Sequence, residues 1–78
     1  MEIGKAIAFV RGWRGLSQNQ LAKTAGVSVS NVNMIERGLR YPSIDTLEKI
    51  AGALNTRTSN LVRLAEDDGE CEKFINGG

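Results

Sequence analysis

The side chains that most enzymes use for acid–base and nucleophilic chemistry are scarce in this sequence. It contains no histidine and a single cysteine, Cys71. No paired carboxylates and no serine-based triad lie on predicted rigid elements. Without a cysteine or histidine cluster we predict no metal site, and the scattered glycines form no phosphate-binding loop. We therefore expect no enzymatic activity, no cofactor and no small-molecule ligand, which leaves non-covalent chemistry from hydrogen bonds and charges.

The charges are divided unevenly along the 78 residues. Residues 1–65 carry nine basic and four acidic residues, whereas residues 66–78 carry one basic and five acidic residues. This pattern predicts one folded basic domain over residues 1–66 and a short acidic C-terminal tail over residues 67–78. We expect the tail to be flexible. The alternative is a swapped segment in which Phe74 and Ile75 complete a dimer.

Cysteine usage and hydropathy indicate the cellular compartment in which the protein is expected. One cysteine cannot form an internal disulfide, which fits a reducing cytosol. No apolar run reaches membrane-spanning length, and the N-terminus has no signal-peptide pattern. We expect a cytoplasmic protein without a membrane partner.

A helix start is encoded in the stretch that follows Leu16. Ser17 can cap a helix, and Gln20 three residues later completes a reciprocal capping box. Gly26 can adopt the left-handed conformation that ends a helix. A short helix is therefore predicted from about Gln18 to the residue before this glycine.

A second short helix follows directly. Ser28 can cap it, Val32 and Ile35 lie three residues apart on its inner face, and Gly38 ends it. Small Ala22 allows the two helices to cross closely. Together the two segments predict a helix-turn-helix.

Three further helices complete an all-α, five-helix prediction. The first spans about Ile3 to Arg14, and the fourth spans about Ile44 to Leu54, with Ser43 as its cap and Asn55 as its left-handed stop. The fifth is less sharply bounded, because its apolar residues follow a Thr/Ser/Asn stretch. The apolar stripes are Ile3, Ile7 and Val10 in the first helix, Leu47, Ile50, Ala51 and Leu54 in the fourth, and Leu61, Leu64 and Ala65 in the fifth.

Phe9 and Trp13 lie one turn apart on a flank of the first helix, which is more apolar than a surface helix requires. One interpretation is that they cover the fifth helix. The other is that they form a self-association patch.

The chain resembles the lambda-repressor-like DNA-binding domains of the xenobiotic-response-element type over roughly residues 3–65. Thr56 and Thr58 depart from the family, which usually has apolar residues there. The matching motifs are Leu16-Ser17-Gln18, Leu21-Ala22, Ala25-Gly26-Val27-Ser28, Ile35-Glu36-Arg37-Gly38, Pro42-Ser43 and the segment Leu47 to Leu54.

The resemblance implies an ion pair between Arg11 and Glu36 that ties the first helix to the third. A guanidinium suits this role because its fork can satisfy both carboxylate oxygens. The alternative is two separately solvated charges.

The resemblance also implies contacts to the DNA backbone. Gln18 matches the family residue that holds a phosphate at a helix N-terminus, and Asn19 beside it is a second candidate. Arg14 and Lys23 are interpreted as solvated charges that add to the basic surface. The segment that follows the backbone in the family corresponds here to Arg37, Arg40 and Tyr41.

In a helix-turn-helix the second helix enters the major groove with its N-terminal residues towards the bases. This face carries no Arg or Lys for the commonest guanine contact, so we predict important A·T pairs in the site. The predicted base-reading residues are Val29, Ser30, Asn31, Asn33 and Met34.

The resulting hypothesis is a sequence-specific transcriptional regulator of double-stranded DNA, of the repressor or controller type. We expect a homodimer, because one recognition helix reads too few bases, and two copies one helical turn apart would read an inverted repeat. The pattern resembles small prophage repressors and controller proteins of restriction-modification systems. The alternative is an antitoxin-like or other protein-interaction module with the same fold.

Overall fold

Five α-helices and no strands make up the part of the chain that the structure, a computed structural model, describes, residues 2–66. The all-α, five-helix prediction is therefore confirmed. The expectations for the acidic tail and for Cys71 lie outside the described residues. The helices are α1 (Ile3–Trp13), α2 (Gln18–Ala25), α3 (Val29–Glu36), α4 (Ile44–Ala53) and α5 (58–66).

Serine caps begin the three central helices, as predicted. Ser17 Oγ accepts from the backbone N–H of Gln20 at 3.0 Å, and Gln20 Oε1 accepts from the backbone N–H of Ser17 at 2.8 Å, which completes the capping box of α2. Ser28 and Ser43 cap α3 and α4 through the N–H groups three residues later, at 3.0 and 3.1 Å. Each cap satisfies a helix N–H that would otherwise have no partner.

The helix ends agree with the predicted stops to within one residue. Gly26 has φ +73° and ends α2, and the N–H of Val27 then bonds to the carbonyl of Ala22 at 3.0 Å. Asn55, with φ +58°, follows α4 in the left-handed conformation that was predicted for it. The turn between α2 and α3 is tight because Gly26 adopts this backbone conformation without a Cβ penalty.

Side chains from all five helices form one core. The predicted stripes are largely confirmed, but Val10, Leu64 and Ala65 are only partly buried. Phe9 and Trp13 are 59% and 76% exposed, so the interpretation that they cover α5 is wrong: on α1 they point away from the core. The buried residues of this core cluster are Ile3, Ile7, Leu21, Ala22, Ala25, Val32, Ile35, Leu47, Ile50, Ala51, Leu54 and Leu61.

Between residues 2 and 66, every helix is too short or too polar to cross a bilayer.

The first turn of α1 passes directly against the end of α3. A Cβ added to Gly4 would overlap the carbonyl oxygen of Ile35 and would lie 2.9 Å from its carbon. Gly12, on the same helix, has no atom within 4 Å of the corresponding position. Only a residue without a side chain therefore allows α1 to approach α3 this closely.

We predict that Gly4→Ala lowers the free energy of unfolding by about 1–3 kcal/mol, because backbone atoms must move to admit the methyl group. The matched control is Gly12→Ala, which should raise it by up to about 1 kcal/mol through helix propensity. Chemical denaturation of both variants measures the difference. Equal effects of the two substitutions would contradict the close approach.

Candidate nucleic-acid interface

The helix-turn-helix is formed by α2 and α3, which pack against each other while α2 also packs on α4. Ala22, 3% exposed, lies where α2 enters the core, and Val32 and Ile35 turn the inner face of α3 towards it. These buried contacts leave the opposite face of α3 free for a partner.

The predicted base-reading residues lie on this free face and differ in how much of each side chain is exposed. Val29 is 42% exposed, and Ser30 is also exposed. Asn31, Asn33 and Met34 are half-buried, because neighbouring side chains cover part of each. The face therefore presents uncharged hydrogen-bonding groups between apolar contacts.

Arg11 and Glu36 form a bidentate pair between α1 and α3. Arg11 Nε donates to Glu36 Oε2 at 2.7 Å, and Arg11 Nη2 donates to Glu36 Oε1 at 3.0 Å. Arg11 Nη1 also donates to the carbonyl oxygen of Leu16 at 2.8 Å, which holds the segment between α1 and α2. The Arg11 side chain is 21% exposed and that of Glu36 is 6% exposed. The geometry is that of a paired site with little access for water, and not of two solvated charges.

The hydrogen bond to Glu36 raises the pKa of Arg11 above its ordinary value, and the negative charge of Glu36 adds to this effect while burial opposes it. The guanidinium therefore stays charged at any pH at which the domain would be studied.

Gln18 connects this ion pair to the exposed face of α3. Its Nε2 donates to Glu36 Oε1 at 2.9 Å, and its Oε1 accepts from Asn33 Nδ2 at 3.2 Å. The candidate phosphate residue and a candidate base-reading residue are therefore in direct contact. No local sequence pattern indicates this link, because it depends on how α2 and α3 cross.

The loop after α3 holds most of the remaining candidates for phosphate contacts. Arg37, Arg40 and Tyr41 are exposed, Tyr41 to 81%. Arg40 Nη1 donates to Asn31 Oδ1 at 3.3 Å, which places this cation beside the reading face. Asn19 is exposed at the start of α2.

A cleft of about 390 Å³ separates the start of α1 from this loop. Glu2 lines one side, and Gly38, Arg40 and Tyr41 line the other. The beginning of the described chain is therefore a neighbour of the loop that carries the candidate phosphate contacts.

Arg14 has a structural role. Its interpretation from the sequence as a solvated charge did not predict this role. Its Nε donates to the carbonyl oxygen of Leu54 at 3.0 Å, and its Nη2 donates to that of Asn55 at 3.3 Å. Its guanidinium also lies 5.5 Å from the ring centroid of Trp13. The last turn of α4 has no basic residue of its own, so Arg14 provides the positive charge that a helix C-terminus favours. No local pattern links residues 40 positions apart.

No group of three or more histidine, cysteine, aspartate or glutamate side chains that could hold a metal ion occurs within residues 2–66.

Known proteins with a similar sequence are named as repressors or as transcriptional regulators. The model of the helix-turn-helix family matches residues 7–66. The immunity repressor protein of Bacillus phage phi105 is 44% identical over 62 residues, which are 80% of this chain and 43% of that protein. The chain thus spans less than half the length of this relative.

The solved structures that are similar in fold and sequence include a controller protein and a master regulator. The restriction-modification controller protein C.AhdI from Aeromonas hydrophila superposes with a TM-score of 0.74 at 36% identity, over 76% of this chain and 89% of that one. The biofilm regulator SinR, solved in complex with DNA, superposes with a TM-score of 0.74 at 39% identity, over 77% of this chain and 97% of that one.

We predict that Arg11→Ala lowers the free energy of unfolding by about 2–4 kcal/mol, because it leaves the carboxylate of Glu36 nearly buried without its cation. The control is Lys49→Ala, which removes an exposed pair with Asp45 at 3.2 Å and should stay within about 0.5 kcal/mol of the parent. Thermal or urea unfolding followed by circular dichroism measures both. A loss for Arg11→Ala no larger than that of the control would show that the pair contributes nothing.

Proposed function

We propose that this chain, which belongs to the lambda-repressor-like helix-turn-helix family, is a sequence-specific transcriptional regulator that reads double-stranded DNA through the major groove as a homodimer. The observation that carries the proposal is the α2–turn–α3 unit, whose second helix buries Val32 and Ile35 and leaves an uncharged polar face exposed. The SinR structure in complex with DNA supports it, because that domain has the same fold. The proposal includes no catalytic step and no cofactor.

The helix α3 has dimensions that suit a groove. Eight residues form a rod of about 12 Å, and an α-helix fits the width of the major groove. Ser30 and Asn33 can bond to base edges, and Val29 can pack against a thymine methyl group. Because no Arg or Lys lies on this face, we expect A·T pairs at contacted positions.

Affinity must then come largely from the DNA backbone. Gln18 and Asn19 lie at the N-terminus of α2, where backbone N–H groups and the helix dipole favour a phosphate. Arg37, Arg40 and Tyr41 lie in the segment that follows the C-terminal end of α3. Backbone contacts from the start of α2 and from this segment would fix the position of α3 in the groove.

A homodimer follows from the small number of bases that one α3 can reach. A genome offers so many competing sites that a few base pairs cannot define one. Two copies with their α3 helices about one helical turn apart would read both halves of an inverted repeat.

Selection of bound duplexes from a random library, followed by sequencing and a salt titration of the best site, tests the proposal. We expect a two-fold symmetric consensus with A·T pairs at contacted positions, and two chains per duplex by mass measurement. Weak binding without any consensus would contradict the proposed function, and a consensus made only of G·C pairs would contradict the assigned reading face.

The exposed pair Phe9 and Trp13 favours a second candidate, a protein-interaction module that uses the same fold. Large apolar side chains next to each other on a surface are typical of interaction sites. A pull-down with and without nuclease separates the candidates. A protein retained in stoichiometric amount after nuclease treatment would support the second.

We predict that Arg40→Ala weakens binding to all DNA sequences by a similar factor and lowers the slope of log affinity against log salt by about one, because one phosphate contact is lost. Arg57→Ala is the control, since Arg57 lies in a cleft with Arg14, Asn55 and Asn60, and no residue of α3 lines this cleft. Its salt slope should match the parent. An unchanged slope for Arg40→Ala would remove Arg40 from the phosphate contacts.

A further inference from the structure

The carboxylate of Glu36 fixes the direction of the amide of Gln18. An ionised carboxylate only accepts hydrogen bonds, so the group of Gln18 that faces it must be the nitrogen. Nε2 of Gln18 lies 2.9 Å from Glu36 Oε1, and the same carboxylate is held in place by the two bonds from Arg11. The oxygen of Gln18 is therefore turned away from Glu36.

This orientation in turn fixes the amide of Asn33. Oε1 of Gln18 can only accept, so it must meet the nitrogen of Asn33, and Nδ2 lies 3.2 Å away. The oxygen of Asn33 is then directed elsewhere, and among residues 2–66 no group donates to it. A free asparagine amide can rotate by 180° and present either a donor or an acceptor at a given point, but this one has a single favoured direction.

From this chain of hydrogen bonds, we propose that Glu36 acts through Gln18 to make Asn33 Oδ1 a fixed acceptor that selects a base with an exocyclic amino group in the major groove, adenine N6 or cytosine N4. Among base edges in that groove, only adenine and cytosine donate such hydrogen bonds. This inference rests on the proposed function and specifies how its reading face discriminates.

In this proposal Gln18 is a positioning residue for base discrimination, in addition to its expected phosphate contact. The two roles have different consequences for binding. A residue that only holds a phosphate affects all sequences alike. A residue that orients a base-reading amide affects the preference at one base pair and leaves the others unchanged.

The test uses the full chain and the best site from the selection, with each base pair changed in turn to the three others. Gln18→Ala should lower the discrimination at one base pair by at least about fivefold, and Asn33→Ala should lower it at the same base pair. The double variant should lose no more discrimination there than Asn33→Ala alone, because both residues act through one amide.

Asn19→Ala is the matched control. Asn19 follows Gln18 on α2 and is exposed, and its side chain has no bond to Asn33. Loss of the Asn19 side chain should weaken binding to all DNA sequences by a similar factor and leave the base preferences unchanged. Thermal unfolding of each variant verifies that the domain is folded under the binding conditions.

A second readout needs no DNA. The side-chain amide protons of Asn33, followed by NMR in the free protein, should shift in Gln18→Ala and stay in place in Asn19→Ala. An unchanged Asn33 signal in Gln18→Ala would overturn the inference.

The binding data distinguish a failure of the proposed function from a failure of this inference alone. If the parent protein shows no base preference at all, the proposed function fails and the inference fails with it. If the parent discriminates and Gln18→Ala only weakens binding evenly, the proposed function stands and the inference is overturned. The inference is also overturned if Asn33→Ala leaves every base preference intact.

Discussion

One nearly buried carboxylate, that of Glu36, joins three helices. It accepts hydrogen bonds from Arg11 of α1 and from Gln18 of α2, and it lies on the last residue of α3. Apolar packing alone tolerates small rotations of one helix over another, because it has no directional preference. A buried charge tolerates them poorly, since an arrangement that withdraws its donors costs several kcal/mol. The angle at which α3 leaves the core is therefore set by hydrogen-bond geometry as much as by the shape of the apolar side chains.

The helices and the core could be predicted from the sequence because their determinants are local. Ser17, Ser28 and Ser43 each cap an N–H only three residues away, and Gly26 and Asn55 act through their own backbone conformation. The apolar stripes have the helical period, so they indicate which side of each helix turns inward. The outer face of α3 could be predicted in the same way, because it consists of the residues on the side opposite the buried Val32 and Ile35.

The partners of the polar side chains could not be predicted, because they depend on how distant elements meet. Arg14 contacts Leu54 and Asn55 across about 40 residues of chain, and nothing near Arg14 in the sequence indicates it. The exposure of Trp13 could not be predicted for the same reason. The helical period places Trp13 at the edge of an apolar stripe, and only the position of α5 decides whether its ring is covered. At the site, residue types were therefore predictable, but hydrogen-bond directions were not.

The start of α1 lies across a cleft from the loop that carries Arg40 and Tyr41, with Glu2 on the near side. A segment attached near Glu2 would thus begin beside the surface proposed to follow the DNA backbone. A purification tag, fluorescent protein or dimerising fusion placed there would compete with a duplex for the same space, and a cationic tag would add its own attraction to the DNA. For reporter assays and protein engineering, the start of α1 is consequently a neighbour of the surface proposed to bind DNA.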